Sequence, residues 1–291
     1  MKRGLMNRKL IAQIEIALGT EIINHRSLPV GFGITGMRLE FADGRQAALK
    51  ASKHSHDSGL GLEAFMLREL KANSNLPIPE IYYSGDGLLI MEWMRSGGSI
   101  NPKVQHHAAE LLVDLHARPF EQFGYSQDTL IGPLHQPNPQ MDSWIEFFRE
   151  HRLLYMAGEA LKENALPKKL HERIENLASQ LKVFLVEPKH PSLLHGDLWG
   201  GNIIASNSQV SGFIDPAIYC GHPEIELAFT TMFSTFGKPF FDAYQALAPL
   251  QPGFFEERIG IYNLYPTLVH VRLFGDSYLR QIDETLSKVG F

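Results

Sequence analysis

The residues best equipped for chemistry are His195-Gly196-Asp197-Leu198-Trp199-Gly200-Gly201-Asn202, followed by Phe213-Ile214-Asp215. Transfer of a phosphoryl group from ATP needs a carboxylate that orients an attacking hydroxyl and accepts its proton. It also needs oxygen ligands for the magnesium ion that bridges and neutralises the phosphates. An Asp, four residues and an Asn put a base and a metal ligand on one loop, and the later Asp brings a second ligand from a neighbouring strand end. Asp197, Asn202 and Asp215 fit those roles in that order. Taken singly, Asp197 and Asn202 also suit turns, and Asp215 also suits a cap ahead of Pro216. The ordered set points to phosphoryl transfer.

These residues lie in a loop-rich stretch, Ser192 to Asp215, where short apolar pairs alternate with Gly, Asp and Asn inside an otherwise helical half of the chain. Loops held on a rigid scaffold are where chemistry commonly sits. Upstream, Leu10, Ile11, Ile14 and Leu18 fall at helical spacing. Val30 to Gly36 then opens a run of short alternating segments, Met37 to Phe41 and Gln46 to Lys50, around the hairpin signal Asp43-Gly44. Leu60 to Ala72 reads as a helix ended before Pro77 and Pro79, and two more strands flank Gly85-Asp86-Gly87. The second of these, Leu88 to Met94, runs into Arg95-Ser96-Gly97-Gly98-Ser99, which has the composition of a hinge. Beyond it, Asn101-Pro102 reads as a cap and first-turn pair for a helix carrying Val104, Ala108, Leu111, Leu112 and Leu115 on one face. The expected division is a small lobe over residues 1–95 and a larger, mostly helical lobe over 96–291.

Composition narrows the function classes. The 291 residues are 44% hydrophobic and 20% charged, enough apolar material for a sizeable core and too little polar bias for disorder. A single cysteine, Cys220, excludes an internal disulfide framework. The net charge of -5 argues against binding nucleic acid through the overall field. Lys2, Arg3, Arg8 and Lys9 ahead of an apolar stretch imitate a signal peptide, but Gln13 and Glu15 interrupt the stretch. No run approaches the roughly 18 apolar residues of a membrane span, so the expected location is the cytoplasm, with no membrane partner. His54, His56, His106, His107 and His116 show no metal-ligand spacing and read as surface or packing residues.

The octapeptide from His195 to Asn202, with Asp215-Pro216-Ala217 and Gly221-His222-Pro223-Glu224-Ile225-Glu226-Leu227-Ala228, resembles the fructosamine/ketosamine-3-kinase family, within the aminoglycoside-phosphotransferase and protein-kinase-like superfamily. Phe123-Gly124, Ile131-Gly132, Gln136, Asn138, Trp144 to Phe148 and Arg152-Leu153 resemble its middle signature. Arg258, Tyr262, Leu264-Tyr265, His270, Phe274-Gly275 and Tyr278 resemble its C-terminal pattern, so that the likeness spans nearly the whole chain.

The resemblance implies an α+β, bilobal protein-kinase-like fold, with a small antiparallel-sheet N-lobe, a mostly helical C-lobe, and ATP and Mg2+ in the cleft. It implies transfer to the 3-hydroxyl of a ketosamine, free or protein-bound, an early product of glycation whose phosphate adduct then falls off. Lys50 would contact the ATP phosphates with Glu63 as its ion-pair partner, although Glu69 competes for that place. Gly31 and Gly33, with Gly36, would form the phosphate loop; the family usually has two adjacent glycines where this chain has Gly31-Phe32. Glu92 and Met94 would meet adenine through main-chain atoms. Trp199 would either stack on the sugar or anchor the loop, Trp144 would pack in the core, and His195 would brace the loop. His222 and Glu224 would reach the acceptor or hold the loop after the metal ligand. Glu226 stands where the family usually has Asp, a carboxylate that steadies the catalytic loop. The competing readings are an aminoglycoside- or choline-type kinase of the same superfamily and a nucleotide-binding regulator without turnover.

Overall fold

The computed structural model describes Met6 and residues 8–52 and 59–291. Lys2, Arg3, His54 and His56 lie outside the described residues.

The N-terminal region is a helix, α1 (Arg8–Leu18), then β1 (Ile22–Leu28), β2 (Ile34–Phe41), β3 (Gln46–Ser52), α2 (Leu60–Asn73), β4 (Ile81–Gly85) and β5 (Leu88–Glu92). The five strands form one antiparallel sheet in the order β1-β2-β3-β5-β4. Strand alternation gives the sheet two apolar faces. Met37, Leu39, Phe41, Ala47, Leu49, Ala51, Leu88 and Ile90 pack with Ile14 of α1 on one side. Leu89 and Met91 join Leu60, Ala64, Met66, Leu67 and Leu70 of α2 on the other. Because Leu49 and Ala51 take the α1 side, Lys50 between them points to the α2 side. That parity decides which helix can supply its partner.

The C-terminal region is mostly helical: α3 (Pro102–His116), α4 (Trp144–Phe148), α5 (Tyr155–Lys162), α6 (Lys168–Ala178), the single turn α7 (Leu181–Phe184), α8 (Pro223–Met232), α9 (Lys238–Leu247), α10 (Ile259–Phe274) and α11 (Leu279–Lys288). Asn101 caps α3 as its sequence suggests, its Oδ1 accepting from the N–H groups of Lys103 at 3.0 Å and Val104 at 3.1 Å. A π-helical segment, Arg149–Leu154, joins α4 to α5. Six short strands pair as hairpins or ribbons: β6 (Thr129–Ile131) with β7 (Leu134–Gln136), β8 (Ser192–Leu194) with β11 (Tyr219–Gly221), and β9 (Ile203–Ser206) with β10 (Gln209–Phe213). Among the described residues no helix is long and apolar enough to cross a membrane.

Candidate active site

The catalytic-loop candidates sit between β8 and β9, and Asp215 follows β10. The loop is fixed from below by groups far apart in sequence. Glu226, in the first turn of α8, accepts the Gly196 N–H at 2.8 Å through Oε1 and pairs through Oε2 with His116 Nε2 at 2.9 Å. His116 Nδ1 lies 2.9 Å from the Tyr244 hydroxyl. All three side chains are buried. Glu226 therefore spans the distance with its extra methylene, and His116, a packing residue by its sequence, is the polar post on which the loop rests. His195 is fully buried and bonds the Ile214 carbonyl through Nε2 at 3.0 Å, a brace between the loop and the strand leading to Asp215. Burial holds its pKa below the usual histidine value.

Asn202 Nδ2 donates to the Asp197 carbonyl at 2.8 Å and to Asp197 Oδ2 at 2.9 Å. The base candidate is thus held by the metal-ligand candidate. Asp197 keeps an edge in the cleft, yet desolvation pushes its pKa up to about 7; the Asn202 amide pulls it down and the Asp215 charge adds to the rise. Asp215 has a left-handed φ of 54°, a strained backbone state for a non-glycine residue at the site.

From the opposite side, Lys50 Nζ donates to Glu63 Oε1 at 2.8 Å and to Asp215 Oδ1 at 2.6 Å. Burial works against the ammonium, but the two carboxylates outweigh it and hold its pKa above the usual lysine value. Glu69, the competing partner, instead accepts from the Tyr125 hydroxyl at 2.7 Å. Asn202 commits its amide nitrogen to Asp197 and Asp215 commits Oδ1 to Lys50, which leaves Asn202 Oδ1 and Asp215 Oδ2 as the oxygens these two ligand candidates could offer a cation. Among the described residues no group of three or more His, Cys, Asp or Glu could hold a metal. A two-oxygen donor set suits Mg2+, which keeps waters and shares phosphate oxygens rather than taking an all-protein cage.

Gly31 and Gly33 lie in the β1–β2 turn. Phe32 and Gly33 have φ of 57° and 73°, and the Ile34 N–H donates to the Gly31 carbonyl at 3.2 Å, a tight mirror-image hairpin turn. The Glu92 N–H is spent on the Glu80 carbonyl at 2.8 Å. The Met94 N–H has no partner among the described residues, and the Met94 side chain lies against Gly212 of β10.

For His222 and Glu224, read as reaching the acceptor or holding the loop after the metal ligand, the fold removes the first alternative and leaves the second. Glu224 is 2% exposed and forms a two-pronged pair with Arg258, Nε to Oε2 at 2.6 Å and Nη2 to Oε1 at 2.7 Å. Both carboxylate oxygens are committed, so Glu224 ties α8 to the start of α10 and reaches no acceptor. His222 is also buried; its Nδ1 caps α8 by accepting the Glu224 N–H at 3.1 Å. Glu224→Ala leaves the Arg258 guanidinium buried without its partner and is expected to cost about 3–5 kcal/mol of stability, read as a drop in the denaturation midpoint, with the acceptor KM of the folded enzyme unchanged.

Burial, with the Arg258 and His116 charges, pushes the His222 pKa down to about 3. In the unfolded chain the same ring titrates near 6.5, so the unfolded state binds the extra proton between those values and stability falls as pH falls. At pH 5 this costs about 2 kcal/mol. His222→Asn keeps a good cap acceptor and removes the titration. Its melting temperature is expected to fall less between pH 7.5 and pH 5 than that of the wild type; parallel curves would assign the acid sensitivity elsewhere.

Trp199 is 40% exposed and meets Phe233 edge-on at 5.9 Å, so it is not a buried loop anchor. Its ring folds over Gly201, where a Cβ would sit 2.4 Å from it. Trp144 is fully buried among Phe147, Phe148 and Tyr262, with its Nε1 donating to the Tyr262 hydroxyl at 3.0 Å. Cys220 is buried in β11, and desolvation pushes its thiol up to about 12.

Behind Asp215 lies a buried polar frame that joins several of the signature residues, Gln136, Asn138, Arg152 and Tyr265, through contacts the sequence did not reveal. Gln136 Nε2 donates to the Ala217 carbonyl at 3.0 Å and Thr129 Oγ1 to the Ile218 carbonyl at 3.0 Å. Tyr265 donates to Gln136 Oε1 at 2.6 Å, and Arg152 Nη2 to Asn138 Oδ1 at 2.6 Å. Arg152 also stacks 3.9 Å from the Tyr219 ring. The chain following Asp215 is thereby pinned to the β6–β7 hairpin, the π segment and α10.

Residues 6–290 match the family model described as fructosamine kinase. The chain belongs to the fructosamine kinase family. Among its curated relatives, "Probable ketoamine kinase" of Enterococcus faecium is 34% identical over 229 residues, 76% of this chain and 79% of that protein. The chloroplastic protein-ribulosamine 3-kinase of Arabidopsis thaliana is 33% identical over 229 residues, 74% of this chain and 67% of that protein. A crystal structure provisionally named a fructosamine-3-kinase, from Thermobifida fusca, superposes with a TM-score of 0.87 at 30% identity, covering 97% of this chain and 99% of that one. Aminoglycoside phosphotransferase APH(2'')-Ib, solved with ADP, superposes with a TM-score of 0.67 at 17% identity over 97% of this chain and 98% of its own. The last likeness carries the fold alone: this family member has the bilobal, protein-kinase-like architecture, with an antiparallel sheet in the N-terminal region and helices in the C-terminal one.

Proposed function

We propose that the protein is an ATP-dependent ketosamine 3-kinase, a phosphotransferase with an alcohol acceptor. The observation that carries this reading is the bridge from Lys50 to both Glu63 and Asp215, at 2.8 and 2.6 Å, facing the Asp197–Asn202 pair, in a chain of the fructosamine kinase family. Asp197 accepts a hydrogen bond from the 3-hydroxyl, points its oxygen at the γ-phosphorus, and takes the proton as the new O–P bond forms and the bond to the β-phosphate oxygen breaks. Lys50, kept charged by its carboxylates, attracts the α- and β-phosphate oxygens. Asn202 and Asp215 would hold Mg2+, which when bound neutralises phosphate charge. Most of the acceleration is then positioning and charge stabilisation.

The lobe over residues 1–95 would supply the nucleotide side through Lys50, Glu63, the Gly31–Gly33 turn and the Met94 amide; residues 96–291 would supply the catalytic loop and acceptor wall. Trp199 offers an exposed aromatic face for the sugar. Removal of glycation adducts in the cytoplasm is the role this activity would serve. A coupled ADP assay over ketosamines, aminoglycosides and choline tests the reading. ADP release with ketosamines supports it. Turnover confined to the other acceptors, or Mg-ATP binding with no ADP from any acceptor, overturns it.

A further inference from the structure

Four of the large apolar side chains left exposed lie in one line. Trp199 is 40% exposed, Phe233 39%, Phe274 57% and Phe32 55%. Their rings connect at 5.9 Å from Trp199 to Phe233, 5.1 Å from Phe233 to His270, 5.4 Å from His270 to Phe274 and 6.3 Å from Phe274 to Phe32. One end of this arc is two residues from Asp197. The other is the tip of the β1–β2 turn, on the nucleotide side. His270 is fastened by its Nδ1 to the Pro266 carbonyl at 2.7 Å, so that its ring is fixed between its neighbours.

An exposed run of aromatic rings bordering a polar reaction site is unlike singly scattered surface residues; it needs an occupant. The Phe32 backbone sharpens the point. A bulky side chain with a left-handed φ of 57° is strained, and that conformation carries the ring across the cleft onto Phe274 and over the β6–β7 turn, where a Cβ at Gly132 would lie 3.8 Å from it. A residue of the β1–β2 turn thus stands against residues of the C-terminal region.

The chemistry of a ketosamine matches this layout from end to end. The sugar is polar and carries the hydroxyl to be phosphorylated, the secondary ammonium lies next to it, and the amine's own substituent extends beyond. With the 3-hydroxyl at Asp197 and the sugar beside Trp199, the substituent runs along the arc. Ring faces attract the ammonium; the Trp199, Phe233, Phe274 and Phe32 rings carry no ionisable group, and burial holds the His270 imidazole toward its neutral form, so the arc offers no fixed charge to a charged substituent.

We infer that the arc is the subsite for the amine-bearing half of the acceptor, and that Phe32 and Phe274 select ketosamines whose amine carries an aromatic or apolar group over those with a small anionic one. This rests on the ketosamine reading. The test uses the full chain with saturating Mg-ATP and two fructose ketosamines, of benzylamine and of glycine, and reads the ratio of their kcat/KM values. The wild type is expected to favour the benzylamine adduct. Phe274→Ala is expected to lower the ratio by about tenfold. Phe32→Asn, which suits the left-handed turn, is expected to lower it in the same direction. A ratio unmoved in both variants, or a wild type that favours the glycine adduct, overturns the assignment of the subsite while leaving the kinase reading intact. A wild type inactive on both adducts overturns the ketosamine reading itself.

Discussion

Asp197→Asn is expected to lower kcat for ketosamine phosphorylation by roughly 10^2–10^4-fold while Mg-ATP binds with nearly wild-type affinity. The asparagine keeps the size and the Asn202 contact surface but loses the proton-accepting oxygen. Asp197 ligates neither Lys50 nor Glu63, so the nucleotide side of the cleft keeps its partners. Stability should move the other way. Desolvation pushes the Asp197 pKa up to about 7, well above a carboxylate in the unfolded chain, so the folded state binds the extra proton between about pH 4 and pH 7 and the wild type loses stability as pH rises through that window. The variant, which has no such titration, should therefore gain on the wild-type melting temperature as pH rises from about 5 to about 7, with the difference levelling off by about pH 8. Single-turnover rates, nucleotide titration and melting curves on one preparation separate these effects. Normal turnover with the right acceptor would remove Asp197 from the role of base.

Gly196→Ala is expected to eliminate activity by displacing the loop itself. Gly196 has a φ of 83°, and a Cβ there would lie 2.0 Å from the Ala217 carbonyl oxygen, a backbone atom that cannot swing aside. That carbonyl belongs to the segment pinned by Gln136, whose Nε2 also donates to it, and the Gly196 N–H is the donor to Glu226. Relief requires the catalytic loop to part from the chain after Asp215, separating the base candidate from the metal-ligand candidate. The result should be a loss of stability of several kcal/mol, as for other conflicts between a backbone and its new side chain, together with weakened protection of the Asp197–Asn202 amides in hydrogen exchange. A soluble, active Gly196→Ala enzyme would mean that the loop has far more freedom than its contacts imply.

The features legible in the sequence were those set by local pattern. Strand alternation around Leu49, Lys50 and Ala51 fixes which face the lysine takes, and Asn101-Pro102 is enough to start α3. The order Asp197, Asn202, Asp215 was readable because three functional groups fall on two adjacent loops. What could not be read depends on contacts between distant residues. Glu63 and Glu69 are both carboxylates on one helix, and only the Tyr125 hydroxyl reveals why Glu69 is occupied elsewhere. Glu224 stands close in sequence to the site, but Arg258, 34 residues on, consumes both of its oxygens. His116 and Glu226, 110 residues apart, gave no sign of forming one post. Strands β6 and β7 are three residues each, too short to leave a periodic trace, yet they carry Thr129 and Gln136 behind Asp215. The Phe32 ring was read only as an interruption between glycines; its contact with Phe274 is a product of the fold.

The most direct test of the account is to incubate the purified protein with Mg-ATP and a fructose ketosamine and to determine the phosphate position on the product by phosphorus–proton NMR. Phosphorylation at the 3-hydroxyl, lost in Asp197→Asn, is the predicted result. Phosphate on another hydroxyl of the sugar, or no phosphorylated ketosamine while another hydroxyl-bearing amine is turned over, would contradict it.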